Sequence, residues 1–199
     1  MDVQGERRLP GAAGGSWYTW WRGDVLPELP PLPGFRAEAM MEPARAAALT
    51  HLDEVAARER SAHGHRLYVA FVGDTPTGWG WSAARTASIG ELGLALHMPP
   101  GNRYLWSFET APVWRGRGIY PRLLQHILRH EAPDAQRVWI GHEPGNIPSA
   151  RGIRKAGFAY LGEIALLPDG ALLLVPECPN AERVRAGAAI LGAGVASGV

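Results

Sequence analysis

A chain of 199 residues is long enough for one domain with a sizeable core and too short for two generous ones. Its hydrophobic share of 46%, charged share of 20% and formal charge of +1 are those of a soluble globular protein and exclude a strongly basic nucleic-acid-binding module. The single cysteine, Cys178, excludes an internal disulfide and a cysteine metal cluster, and it suits a reducing, cytoplasmic setting.

Residues 1–34 read as an N-terminal arm, aromatic and proline-rich. Glu6, Arg7, Arg8 and Pro10 stand where a secretory leader needs an apolar core. Glycines at 11, 14 and 15 give flexibility, Ser16–Trp21 is dense in aromatics, and Leu26–Gly34 is a polyproline-like connector. Trp17, Trp20 and Trp21 are unfavourable in water, so the arm is expected to pack on the domain or on a partner chain, which makes it a candidate homodimer contact.

Phe35–Met40 alternates like an edge strand. Pro43 suits the first turn of a helix, and Leu49, Leu52, Val55 and Ala56 recur at helical spacing to about Ser61. Leu67–Val72 and Trp79–Ala83 flank a turn-rich segment, the signal of a hairpin. Residues 91–97 continue that second strand or form another short one. Tyr104–Thr110 is a strand, and Ile119, Leu123, Leu124, Ile127 and Leu128 mark the buried face of a helix. Val138–His142 is the next strand. A short helix from about Pro148 to Ala156 follows, closed by Gly157 as a left-handed cap. Pro168-Asp-Gly170 turns a final hairpin. Residues 177–199 form an Ala/Gly-rich tail, expected as a frayed helix or disordered, and its small side chains span too little for a membrane anchor. The order describes an α/β fold in which one mixed sheet of residues 35–176 is covered by helices.

Between the strand at 104–110 and the helix after it lies Arg115-Gly-Arg-Gly118. A turn with little side chain exposes successive backbone N–H groups, and the helix start adds partial positive charge, so together they cradle a phosphate or pyrophosphate. Arg115 and Arg117 add full charge beside it. The same string also serves in plain surface turns, because glycine permits positive φ and arginine solvates well. A P-loop is excluded, since no Gly-Lys-Ser/Thr follows, and a dinucleotide fingerprint lacks its third glycine or alanine at Pro121.

Downstream, directly after Val138–His142, stands Asn146-Ile-Pro-Ser-Ala-Arg-Gly-Ile-Arg-Lys-Ala-Gly-Phe158. The two segments, in this order, resemble the GNAT superfamily of N-acetyltransferases over residues 103–165. The resemblance implies a central mixed, mostly antiparallel sheet splayed between its fourth and fifth strands, here bordered by Ser107–Pro112 and Val138–Glu143. It implies acetyl-CoA or another acyl-CoA as co-substrate, with no metal. The pyrophosphate would sit beside Arg115 on the amides of Gly116, Arg117, Gly118, Ile119 and Tyr120. The pantetheine would pair with backbone near Glu109, Thr110 and Ala111, with Asn146 and Ser149 of the second segment orienting it. Arg151 and Lys155 share one helix face, either toward the adenosine phosphates or toward solvent.

The implied reaction is acyl transfer to a primary amine, by direct attack in a ternary complex, with a small molecule as the expected acceptor, its pocket shaped by the first helix, residues 84–100 and the tryptophan arm. An amine near pKa ~10 must lose a proton before it attacks. Two base candidates border the gap, Glu109 and His142. By alternation Glu109 faces opposite Phe108 and Thr110, and it looks into the cleft if those two are core. His142, followed by Glu143, ends the next strand and is a proton carrier near neutral pH. Glu91 and His97 are weaker candidates, because nothing in the sequence brings them to the cleft. Two residues depart from the family pattern. Tyr120 replaces a glycine or alanine of the loop, and Ile153 stands where many relatives carry the tyrosine that protonates the thiolate. Two other readings stay open: an acyl-CoA-binding sensor or interaction module without turnover, and an acyltransferase served by an acyl carrier protein.

Overall fold

The computed structural model describes residues 11–196, the side chain of Glu91 excepted. Three strands, β2 (Phe35–Met40), β3 (His65–Val72) and β4 (Thr75–Ala83), form an antiparallel meander that continues into β7 (Asn102–Thr110). Next to β7 lies β8 (Arg137–His142), running parallel to it, as a connection through α3 (Ile119–Glu131) requires. Beyond β8 come β1 (Ala12–Trp21), β9 (Ala159–Leu166), β10 (Leu172–Pro176) and the two-residue β11 (Gly194–Val195), completing a nine-stranded sheet in the order β11-β10-β9-β1-β8-β7-β4-β3-β2. A separate hairpin of β5 (Thr86–Ile89) and β6 (Leu94–His97) covers one face. The sheet is therefore mixed and mostly antiparallel.

The expected splay has a local cause. β7 and β8 pair only from Asn102–Arg137 to Leu105–Ile140. Ser107 then adopts a left-handed φ of 52°, and the β4–β7 register slips between Trp79 and Trp81. An extra residue of this kind bends its strand. The rest of β7 turns away from β8, and the sheet opens.

The amphipathic α3 buries Ile119, Leu123, Leu124, Ile127 and Leu128 against Tyr18, Trp20, Tyr68 and Leu105. Beside it lies α4 (Ile147–Ala156), capped at its start by Asn146 and at its end by Gly157 at φ 101°. At the far end of α3 the carboxylate of Glu131, 1% exposed, accepts from Arg103 Nε (2.8 Å), Arg66 Nη1 (3.2 Å) and Tyr68 Oη (2.7 Å). This pins the helix to β3 and β7.

Three segments depart from expectation. The helix read over 43–61 is two helices, α1 (Pro43–Thr50) and α2 (Glu54–Ala62), because His51 turns left-handed at φ 58° and Asp53 starts a new helix by accepting from Ala56 N at 2.7 Å. The aromatic stretch of the arm is β1, hydrogen-bonded to β8 on one edge and β9 on the other. Gly15 to Trp20 are buried in succession, so the segment shows no alternation: both of its faces are interior. The tail up to residue 196 holds α5 (Ala181–Leu191), which buries Val184, Ala188 and Leu191 against Trp17, Trp139 and Leu161. Arg183 on α5 grips both oxygens of Asp24 at 2.8 and 2.5 Å, tying the tail to the arm. The remaining calls on residues 1–10 and 197–199 lie outside the described residues.

Candidate functional site

Where β7 and β8 part, a cavity of about 520 Å³ opens through the sheet. Phe108 and Tyr120 line it and belong to the core under α3 and α4. Trp17, Tyr104 and Ile164 also line it and belong to the core on the opposite face, under α5 and the β5–β6 hairpin. The cavity thus joins the two faces of the sheet. Asn146, Ser149 and Glu143 stand at its rim on the β8–α4 side.

The turn before α3 meets this opening. After a short 3-10 turn, Gly116 and Gly118 take φ of 75° and 76°, and Gly118 caps α3 without a side-chain acceptor. A Cβ on Gly116 would point into open space. The first amides of a helix have no helical partner, so the turn presents donors where an anion can approach closely. Arg115 is exposed, with its Nε donating to Thr110 O at 3.1 Å, and the Arg117 guanidinium lies 5.1 Å from the centre of the Trp114 ring. Behind the turn, Arg122 donates to Gly118 O at 2.7 Å and also to Pro30 O, which ties the loop to the proline-rich connector. The donor set, the left-handed glycines and the free space suit a pyrophosphate.

Tyr120 does not fill this turn. Its ring lies against α4, where a Cβ on Gly152 would overlap it, 5.2 Å from Phe108, and its hydroxyl sits 3.4 Å from Ser149 Oγ. Burial pushes the phenol well above its ordinary range, so it remains a neutral hydrogen-bonding group. Tyr120 and Gly152 therefore exchange bulk: a large residue on the loop is matched by an absent side chain on the facing helix. Ile153 points into the core and is fully buried. Gly152→Leu is expected to destabilise the fold by about 1–3 kcal/mol through overpacking. Combining it with Tyr120→Ala should relieve most of that loss, and a double-mutant cycle by urea denaturation measures the coupling.

Residues 34–158 match the model of the acetyltransferase (GNAT) family. The chain belongs to this family. Among solved structures it is similar to a GCN5-related N-acetyltransferase from Kribbella flavida, at 14% identity and a TM-score of 0.50, over 73% of this chain and 54% of that one. It is similar to a GNAT acetyltransferase from Colwellia psychrerythraea, at 14% identity and a TM-score of 0.48, over 76% and 55% of the two chains. An aminoglycoside acetyltransferase solved with coenzyme A shares 16% identity at a TM-score of 0.49, over 68% and 90%. The chain thus spans little more than half the length of the first two. No curated protein matches it.

Within this GNAT frame the base candidates separate. His142 lines the cavity. Its Nδ1 lies 2.8 Å from Glu143 O and its Nε2 lies 3.1 Å from Tyr18 Oη. A carbonyl only accepts, so Nδ1 carries the hydrogen and Nε2 the lone pair, which receives the Tyr18 hydroxyl. Glu109 is exposed and sits across from Trp79 on the side of α1 and α2, outside the cavity lining. Glu109 does face opposite Phe108, which packs on the core under α3 and α4, but that opposite side is the α1–α2 face next to Trp79, because the bulge at Ser107 sets which face the end of β7 takes. His97 is exposed on β6 and does not line the cavity, and the side chain of Glu91 lies outside the described residues.

Among the remaining positions, Thr110 pairs with Gly78, and Ala111 N donates to Thr77 O at 3.0 Å. Asn146 Oδ1 accepts from Ser149 N at 3.1 Å, and both residues line the cavity. Arg151 and Lys155 are exposed on α4. Among the described residues no group of His, Cys, Asp and Glu could hold a metal, and no helix is long and apolar enough to cross a membrane.

Of the segments expected to shape the acceptor pocket, the tryptophan arm brings Ser16 and Trp17 to the cavity and residues 84–100 bring Ser88, Ile89 and Leu92, whereas the sequence singled out none of these five for it. The aromatic run Trp17, Tyr18, Trp20 and Trp21, broken only by Thr19 and without polar alternation, is the sequence signal that this segment is interior on both faces. Nothing local said between which strands it would insert.

Proposed function

We propose that this GNAT protein transfers an acyl group, acetyl first of all, from acyl-CoA to the primary amine of a small molecule, with both substrates bound together. The observation that carries the reading is the left-handed Gly116–Gly118 turn at the head of α3, opening beside the gap between β7 and β8. Backbone amides of Gly116, Arg117, Gly118, Ile119 and Tyr120 hold the pyrophosphate, and the guanidiniums of Arg115 and Arg117 flank it. Thr110 and Ala111 border the path from the turn into the gap, with Asn146 and Ser149 at its rim. Bound acyl-CoA supplies an acyl carbon activated as a thioester: the amine nitrogen bonds to that carbon, the C–S bond breaks, and the thiolate leaves and is protonated by water.

His142 takes the proton of the attacking amine at Nε2, through one water, once the Tyr18 hydroxyl turns its hydrogen off that lone pair. Proton uptake there reverses the contact with Tyr18, whose hydroxyl accepts as readily as it donates. The imidazolium therefore keeps its partner. Glu109, exposed and outside the lining, has no comparable access, so Glu109→Gln serves as a control expected to retain activity.

Acetyl-CoA at a hundred times its dissociation constant should stabilise the fold by ~2.7 kcal/mol by mass action. Arg115→Ala should weaken binding about tenfold, the loss of one charge-assisted hydrogen bond. Calorimetry on both proteins, with thiol release measured across amine classes, tests the reading. A wild-type chain that shows no thermal shift with acetyl-CoA or longer acyl-CoAs would remove it. Binding without thiol release would leave a non-catalytic binding module.

A further inference from the structure

β1 brings into the cavity a polar group from outside the family-matched segment, residues 34–158. Ser16 lines the opening and is only 6% exposed. It stands in register with His142 on β8 and with Glu163 on β9, so these side chains lie next to one another across one face of the sheet. Directly paired residues of antiparallel strands hold their Cβ atoms about 4.5–5.5 Å apart. A single water bridges polar side chains set that way.

The hydrogen of Ser16 is already placed. Its Oγ donates to Glu163 Oε1 at 2.7 Å, and a carboxylate oxygen only accepts. The same Oε1 receives the Tyr160 hydroxyl, and the Arg154 guanidinium lies 4.7 Å from the centre of the Tyr160 ring. The carboxylate is thus held from two strands, and Ser16 cannot turn without breaking a charge-assisted bond. Among the described residues no group donates to Ser16 Oγ, so its lone pairs are left to the cavity. Ser16 presents an acceptor to the opening and no donor.

That polarity matches one step of the reaction. A water that carries the amine's proton to His142 Nε2 accepts from the amine and donates to the imidazole. Its second hydrogen also needs an acceptor, since leaving it unpaired in a closed site is unfavourable. We infer that Ser16 Oγ, turned by Glu163, accepts that second hydrogen and so positions the water between the amine and His142. One proton leaves the amine nitrogen for the water oxygen, one leaves the water for Nε2, and the hydrogen bonded to Ser16 stays on the water throughout. Ser16 is a positioning residue that acts through the water, and Glu163 fixes which way it faces. The inference rests on the acyl-transfer reading above and deepens it.

The test follows thiol release by the full chain with saturating acetyl-CoA and ethanolamine, 2-phenylethylamine, spermidine or kanamycin, and the fastest amine is carried to the variants. Ser16→Ala should lower kcat about tenfold, the effect of one hydrogen bond, and leave KM for the amine and acetyl-CoA affinity within about twofold. Tyr160 still donates to Glu163 in this variant, so the carboxylate keeps a partner and the fold should hold. Glu163→Leu should lose as much rate, and the double variant no more than either, because both changes remove the same oriented acceptor. Glu163→Gln keeps an oxygen that accepts from Ser16 and should retain most of the rate. A wild-type kcat in Ser16→Ala, a loss confined to KM, losses that multiply in the double variant, or a Glu163→Gln as slow as Glu163→Leu overturns the role. So does wild-type turnover in His142→Ala, which removes the base that the water serves. A wild-type chain that binds no acetyl-CoA, or binds it and releases no thiol with any of these amines, fails at the acyl-transfer reading itself, and the role of Ser16 falls with it.

Discussion

Replacing His142 by alanine should lower acyl transfer by about 10²–10⁴-fold, the usual contribution of a positioned general base, while acetyl-CoA binds as before. The imidazole is held from both sides, by Glu143 O at Nδ1 and by Tyr18 Oη at Nε2, so its lone pair has one direction. Tyr18→Phe keeps the base and removes only what orients it, and its loss of rate should be smaller. His142→Ala also leaves the buried Tyr18 hydroxyl without its partner, at about 1–3 kcal/mol of stability. Rates are therefore compared well below the melting transition, with acetyl-CoA titrated separately. Wild-type turnover in His142→Ala, with Glu109→Gln impaired, would move the base to Glu109.

Glu131→Ala should cost about 3–5 kcal/mol, the range for breaking a buried ion pair on one side. The side chain is 2% exposed and receives Arg103, Arg66 and Tyr68, so its removal leaves the half-buried Arg103 guanidinium without its counter-charge at the end of α3, while Tyr68 keeps His130 Nδ1 at 2.8 Å. Burial alone would raise this carboxyl. Hydrogen bonds from Tyr68 and Arg103, with the charges of Arg103 and Arg66, outweigh burial and hold it below its ordinary value of 4.5. A carboxyl depressed in the folded state contributes stability above its unfolded pKa, and that contribution is lost as pH falls through the folded one. Stability should decline below about pH 4.5, and Glu131→Gln should flatten that decline. Asp24, lowered by Arg183 against the opposing effect of burial, contributes to the same acid limb and remains in the variant. Urea denaturation from pH 3 to pH 7 separates the two. An unchanged acid limb in Glu131→Gln would show that the cluster carries no folded-state charge preference.

Legibility followed the range of the signal. The turn at Arg115–Gly118, the helix face of Ile119 to Leu128 and the cap at Gly157 are written within a few residues of where they act, since φ preference and helical period are local. The paired segments around Arg115 and Asn146 carried the donor reading for the same reason. The break at His51 was less visible, because Leu52 and Val55 keep the apolar spacing across it. The bulge at Ser107 was not visible at all. It decides that Glu109, opposite Phe108 as expected, faces α1 and α2 rather than the cleft, and a single residue in a left-handed conformation leaves no periodic trace.

Residues 34–158 thus carried in their sequence the order of elements and the anion-binding turn, products of local conformational preference and short motifs, while the splay was expected only through the family resemblance. The tertiary structure alone decided the acceptor side. It set β1 between β8 and β9, folded the β5–β6 hairpin over the opening and matched the Tyr120 ring to Gly152. Each of these joins residues far apart in the chain through packing, which depends on shape across an interface and is not encoded in the period of either segment.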